Sequence, residues 1–385
     1  MTSKSNPTAE TRVLCALRGH ALGEILSAPF QNLVPAFETQ VPRPARPTSG
    51  KHESLTTTLL ALFDALYLEE ETSTSLKPFA TQAETTFVSL LTSLSASSCW
   101  RGPHAAACSA LGKGLGDGSV ASCVIVQEPS NPVLGALLPF AFLPDPSQKD
   151  MVVAGKCASA LSRHRQVTSA MGLWVGGMGS LFQELKANTS FSEDTPFLDD
   201  AARGALALQD VMEQQWSKKV LGNALETEGA RALLLAQAKS ATHPRDLLPP
   251  PGLDARKEPQ RLVLTALLTS SLSLEECTVF VSETLRLAAH VDVLLPLICA
   301  VAGLHHGQAF IEELNCILES DDCFSRRTQA LFNADVDKSV GKVSLVADEV
   351  QLLTPTKPAK ETEAEDESVE SRGLSVDKNG QLSFL

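Results

Sequence analysis

Apolar residues recur along most of this chain at three- and four-residue intervals, the spacing of an amphipathic helix. Residues 12–35 begin "RVLCALRGHALGEILSAPF" and predict a first helix, interrupted by glycines and stopped by Pro29. A Pro-rich loop follows over residues 36–50. Residues 54–68, "SLTTTLLALFDALYL", repeat the helical spacing, with Ser54 available as an N-cap. Another helix is expected within 78–99, around "ETTFVSLLTSL". Residues 133–143, "VLGALLPFAFL", read as a buried segment, and 156–188 as one long helical pattern that runs through "GLWVGGMG". Residues 199–240 predict two amphipathic helices flanking the charged "EQQWSKK". A linker at 242–259 leads to three more helical patterns over 260–320.

Strand signals are scarce, and only "GKVSLVADEVQLL" at 341–353 alternates with a period of two. The glycine-rich "LGKGLGDGSV" at 111–120 reads as a flexible turn. A phosphate-cradling loop would need a preceding strand or a GK[ST] ending, and neither is there. The expected fold is therefore all-α, a compact multi-helix domain over residues 10–330. A short extension covers 331–354, and the Pro-, Lys- and Glu-rich segment 355–385 reads as a disordered acidic tail. Its last residues, "LSVDKNGQLSFL", regain apolar character and suit either a short linear motif or an unstructured end.

Composition narrows the functional classes. Of 385 residues, 43% are apolar and 20% charged, enough to build a core. The net charge of −13, with no basic stripe, argues against binding nucleic acid through phosphates or an anionic membrane through a polybasic patch. The longest apolar run, Val291–Leu304, contains Asp292 and Pro296 and is too short to span a bilayer. The polar start "MTSKSNPTAETRV" is no signal peptide. Nine irregularly spaced cysteines without a CxxC fit a reducing, cytoplasmic setting. No G-x-S-x-G elbow or reactive Cys–His pair stands out.

Chemistry concentrates in "HVDVLLPLICAVAGLHHG", residues 290–307, where His290 and Asp292 stand at the mouth of an apolar helix. Asp292 can cap that helix or serve as a ligand, and both readings stay open. His305 and His306 suit the negative end of its dipole. His164, between Arg163 and Arg165, makes a small basic spot that suits either a phosphate or a solvated helix face.

Four separated pieces together resemble the ADP-ribosylglycohydrolase family. "GHALGEILSAPFQ" (19–31) is similar to its N-terminal signature at Gly19, Gly23, Leu26, Ala28 and Pro29, with Glu24 at the acidic position, Ser27 for a glycine and Gln31 for the final Glu. "SNPVLGALLPFAFL" (130–143) is similar at Asn131 and Pro139, with Gly135-Ala136 in place of a Met-Arg pair. "SRHRQVTSAMGLW" (162–174) puts His164 at the family's histidine. In the 290–307 stretch His290 stands at the first Asp of the C-terminal motif and Asp292 at the second, while Gly303 and Gly307 match. The order and spacing of the pieces also agree, over about residues 12–315.

The resemblance implies an all-α fold and a cleft that binds two Mg²⁺ ions and ADP-ribose. Glu53-Ser54-Leu55 occupies the place of the family's T-D-D ligands, so both of those aspartates are absent. On this register Glu24, His290 and Asp292 remain as candidate metal ligands, and Asn131 and His164 as ligand-binding residues. A mixed site of His20, Glu24, His290 and Asp292 would suit Zn²⁺ or Mn²⁺ better than Mg²⁺. The leading expectation is a pseudoenzyme without a cofactor that binds a protein or an ADP-ribose-type ligand. An active hydrolase using Mg²⁺ or Mn²⁺ at an altered site, and a purely structural protein, are the alternatives.

Overall fold

The computed structural model describes residues 7–30, 46–67, 83–96, 100–117, 133–143, 148–187, 196–215, 228–248, 257–287, 291–319, 321–332, 374–376 and 382–384. The chain divides into two compact units, residues 1–353 and 354–385. The described part of the first is almost wholly helical, as the apolar spacing predicts. The helices are α1 (Ala9–Ser27), α2 (Ser54–Tyr67), α3 (Ala83–Ala96), α4 (Ala105–Gly116), α5 (Leu138–Ala141), α6 (Gln148–Leu161) and α7 (Arg165–Lys186). They continue as α8 (Pro196–Gln215), α9 (Glu228–Ser240), α10 (Pro259–Leu267), α11 (Leu274–Leu287), α12 (Val291–His306), α13 (Gln308–Glu313) and α14 (Asp321–Phe332). The strands β1 (Ser49–Gly50) and β2 (Ile317–Leu318) form one short parallel bridge. In the second unit β3 (Leu374–Val376) pairs antiparallel with β4 (Leu382–Phe384), so the returning apolar residues of the tail meet each other. The strand-like stretch 341–353 and the acidic run 361–370 lie outside the described residues. Among the described residues no helix is long and apolar enough to cross a membrane.

The core is centred on α1 and α12, which are buried along nearly their whole length. They run antiparallel and touch backbone to backbone. Gly19 faces the Cys299 carbonyl, Gly23 the Leu295 carbonyl, and Gly303 the Cys15 carbonyl. A Cβ on Gly23 would stand 2.6 Å from Leu295 O and 2.7 Å from Pro296 Cα. Glycine is costly in a helix, and here it gains a close approach that no side chain permits. The α7–α8 pair uses the same device, with Gly172 against Gly204 and Gly176 against Asp200.

Buried polar side chains tie the remaining helices to this centre. Arg327 of α14 is fully buried and makes a two-pronged ion pair with Asp64 of α2, at 2.7 and 2.8 Å. Arg12 donates to the Leu304 and His305 carbonyls, at 3.1 and 2.9 Å. That contact corrects the expectation for the end of α12. Burial, with His306 and Arg12 beside it, pushes His305 down to about 4, so the ring is neutral near pH 7. The cation at the helix C-terminus is Arg12, from another helix.

Three further expectations are corrected. Residues 111–116 are helix, not turn. Gly112 and Gly116 let α4 lie against Ser95 and Thr92 of α3, so these glycines serve packing. The 156–188 pattern is two helices, α6 and α7, separated at 162–164, where the Ser162 hydroxyl accepts the His164 N–H at 3.1 Å. Ser54 is the first residue of α2 and does not cap it. Its hydroxyl donates to the Arg101 carbonyl at 2.5 Å and accepts the Arg101 N–H at 3.0 Å. The seven described cysteines are buried free thiols.

Two substitutions test the packing. Gly23→Ala should destabilise the fold by roughly 2 kcal/mol or more, since the new methyl meets backbone that cannot swing aside. Gly179→Ala, in α7 with its nearest contact at 3.4 Å, should be neutral or stabilising by up to about 1 kcal/mol. Denaturant melts of the two variants should separate cleanly, and equal losses would refute the close-contact account. In the same assay Arg327→Met should cost about 3–5 kcal/mol by stranding Asp64, and adding Asp64→Leu should recover much of it.

Candidate functional site

The antiparallel α1–α12 contact sets the last turn of α1 beside the first turn of α12. Glu24 follows Gly23, and Asp292 is the second residue of α12. Both are buried, at 2% and 3% exposure. Pro296 lies inside α12 and has no N–H to close onto the Asp292 carbonyl four residues earlier. The α2 and α4 N-termini also reach this pole of the domain.

Glu24 is committed to α2. One carboxylate oxygen accepts the Leu55 N–H at 2.7 Å. The other accepts the Glu53 and Thr56 N–H groups, each at 3.1 Å. The Ser54 N–H goes to the Arg101 carbonyl at 3.2 Å. The free amides at the start of α2 are thereby satisfied by a carboxylate from another helix and one loop carbonyl. Burial pushes the Glu24 pKa up, while the Leu55 and Thr56 hydrogen bonds and the nearby His104 pull against that rise.

The Thr56 hydroxyl links Glu24 to His20. It lies near the Glu24 carboxylate and 2.9 Å from His20 Nδ1. Burial pushes His20 down to about 3, so the ring stays neutral. Gly135 lies against the ring's other nitrogen, and a Cβ there would come within 2.5 Å of Nε2. The missing side chain at Gly135 therefore leaves the space that His20 fills.

Asp292 meets a residue that sequence reasoning missed. His104, at the N-cap position of α4, places Nε2 3.0 Å from Asp292 Oδ2 in a buried pair. "RGPHAAA" offers only a proline and a histidine ahead of a helix, and nothing in that spacing points to residue 292. Glu53, at the place of the T-D-D ligands, was a further possible contributor to a metal site. Its carboxylate lies against Gly102, whose φ of +72° gives a left-handed turn. Glu53 Oε2 is buried and has no hydrogen-bond partner among the described residues. Burial, then the charge of Glu24, push the Glu53 pKa up to about 8, against the pull of Arg101.

The other candidates lie apart or outside. His164 stands at the N-cap of α7 and is half-buried, with its pKa lowered by burial. It forms no bond with Glu24, His104 or Asp292, and its Nδ1 is buried without a hydrogen-bond partner among the described residues. Asn131 and His290 lie outside the described residues. A surface groove of about 450 Å³, lined by Arg46, Val279, Arg286, Glu313 and Leu314 among others, includes none of the pole residues.

Among the described residues, the donors at the pole do not fit a pair of Mg²⁺ ions. Such ions need several free anionic oxygens each. Both Glu24 oxygens already accept backbone N–H groups, and Asp292 faces His104. Among the described residues no group of three or more His, Cys, Asp or Glu side chains is placed to hold a metal ion. No family model and no curated protein matches this chain.

Two measurements probe this arrangement. Glu24→Ala should cost about 3 kcal/mol, because three amides of α2 lose their acceptor, and Glu24→Gln, which keeps one oxygen, should lose less. The Glu53 carboxyl ionises near 4.5 in an unfolded chain and near 8 in the fold. Between those values the fold holds a proton that the unfolded chain has released, so this group's contribution falls as pH rises across the window. Glu53→Gln should therefore match the parent below the window, gain on it progressively within, and keep a constant advantage above. A variant-minus-parent difference that does not change with pH would remove Glu53 from the account.

Proposed function

We propose that this chain is an ADP-ribosylglycohydrolase-like protein that has lost the di-magnesium centre and acts by binding. The reading rests on the family-like order of its motifs. The observation that carries the loss of chemistry is the state of Glu24, the residue at the family's acidic position. A carboxylate offers about four acceptor positions. Three backbone N–H groups take up three of those of Glu24. Asp292, the other acid kept on that register, is matched by an imidazole. On this reading both acids serve the fold, and no ligand set for a water-activating metal is assembled among the described residues. The partner would be an ADP-ribose-type ligand or a protein received in the former cleft, with the protein acting in the cytoplasm.

Isothermal titration of ADP-ribose into the purified full chain tests the proposal, run with Mg²⁺, with Mn²⁺ and with chelator. The expected outcome is binding of equal affinity in all three. Binding that requires metal would overturn the pseudoenzyme reading in favour of a hydrolase with an altered site. Hydrolysis assays on Asp292→Ala would then follow. Absence of binding in every condition would leave a scaffold that works through protein contacts alone.

A further inference from the structure

We draw no further inference here: the strongest candidate outside the pole, the cluster of Cys277, His306 and His305 between α11 and the C-terminal turn of α12, carries nothing, because its thiol is fully buried with the Thr269 carbonyl and the His306 ring as partners and its donors are not placed around a point that could hold a metal ion.

Discussion

The contact between α1 and α12 is the constraint on which the rest of the domain depends. Each helix sets glycine against the other's carbonyls: Gly19 and Gly23 on one side, Gly303 on the other. Glycines four residues apart lie on one face, so the register is set by shape. Sliding either helix by a turn would drive a side chain into backbone. Because the helices are antiparallel, this lock also decides which residues meet at the pole. Glu24 and Asp292 are neighbours of the contact, and their burial follows from it. Losing one glycine would disturb both the core and the acids.

The pole gathers the N-termini of α2, α4 and α12, and helix N-termini favour negative charge. Carboxylates can be buried there because partial positive charge is already present. The two glutamates share that field unequally. Glu24 receives three N–H donors, bonds that its ionised form uses best. Glu53 lies close by, with one oxygen that receives no donor among the described residues. Burial raises both, and at Glu53 the neighbouring Glu24 adds to the rise, to about 8. Asp292 faces an imidazole, and His20 is neutral and held by Thr56.

Much of the fold was legible in the sequence because helical periodicity is a local signal and Leu and Ala dominate. The glycines of the α1 and α12 motifs were legible as a pattern, and the structure adds their physical reason. Other glycines misled. In "LGKGLGDG" a cluster of them looks like a turn, yet Gly112 and Gly116 sit in α4 because Ser95 and Thr92 of α3 leave no room for a side chain. Composition cannot tell a glycine chosen for backbone freedom from one chosen for small size. The break at Ser162 was missed for a related reason: apolar spacing continues across it, and only a local hydroxyl-to-amide bond marks the stop.

The candidate site was legible in its residues and illegible in its pairings. Glu24 and Asp292 stand out by position, but their partners come from 31 residues and 188 residues away in sequence, Leu55 (55 − 24) and His104 (292 − 104). Spacing within a motif carries no information about such partners. The length of the side chain at position 24 is informative once they are known. A glutamate is longer than an aspartate by one methylene, and at this position its carboxylate reaches the amides that open α2. Capping the start of α2 is by itself a structural reason for an acid at this position. Retention of an acid at such a position is weak support for catalysis. What discriminates is whether its oxygens are free, and at Glu24 they are taken by the backbone.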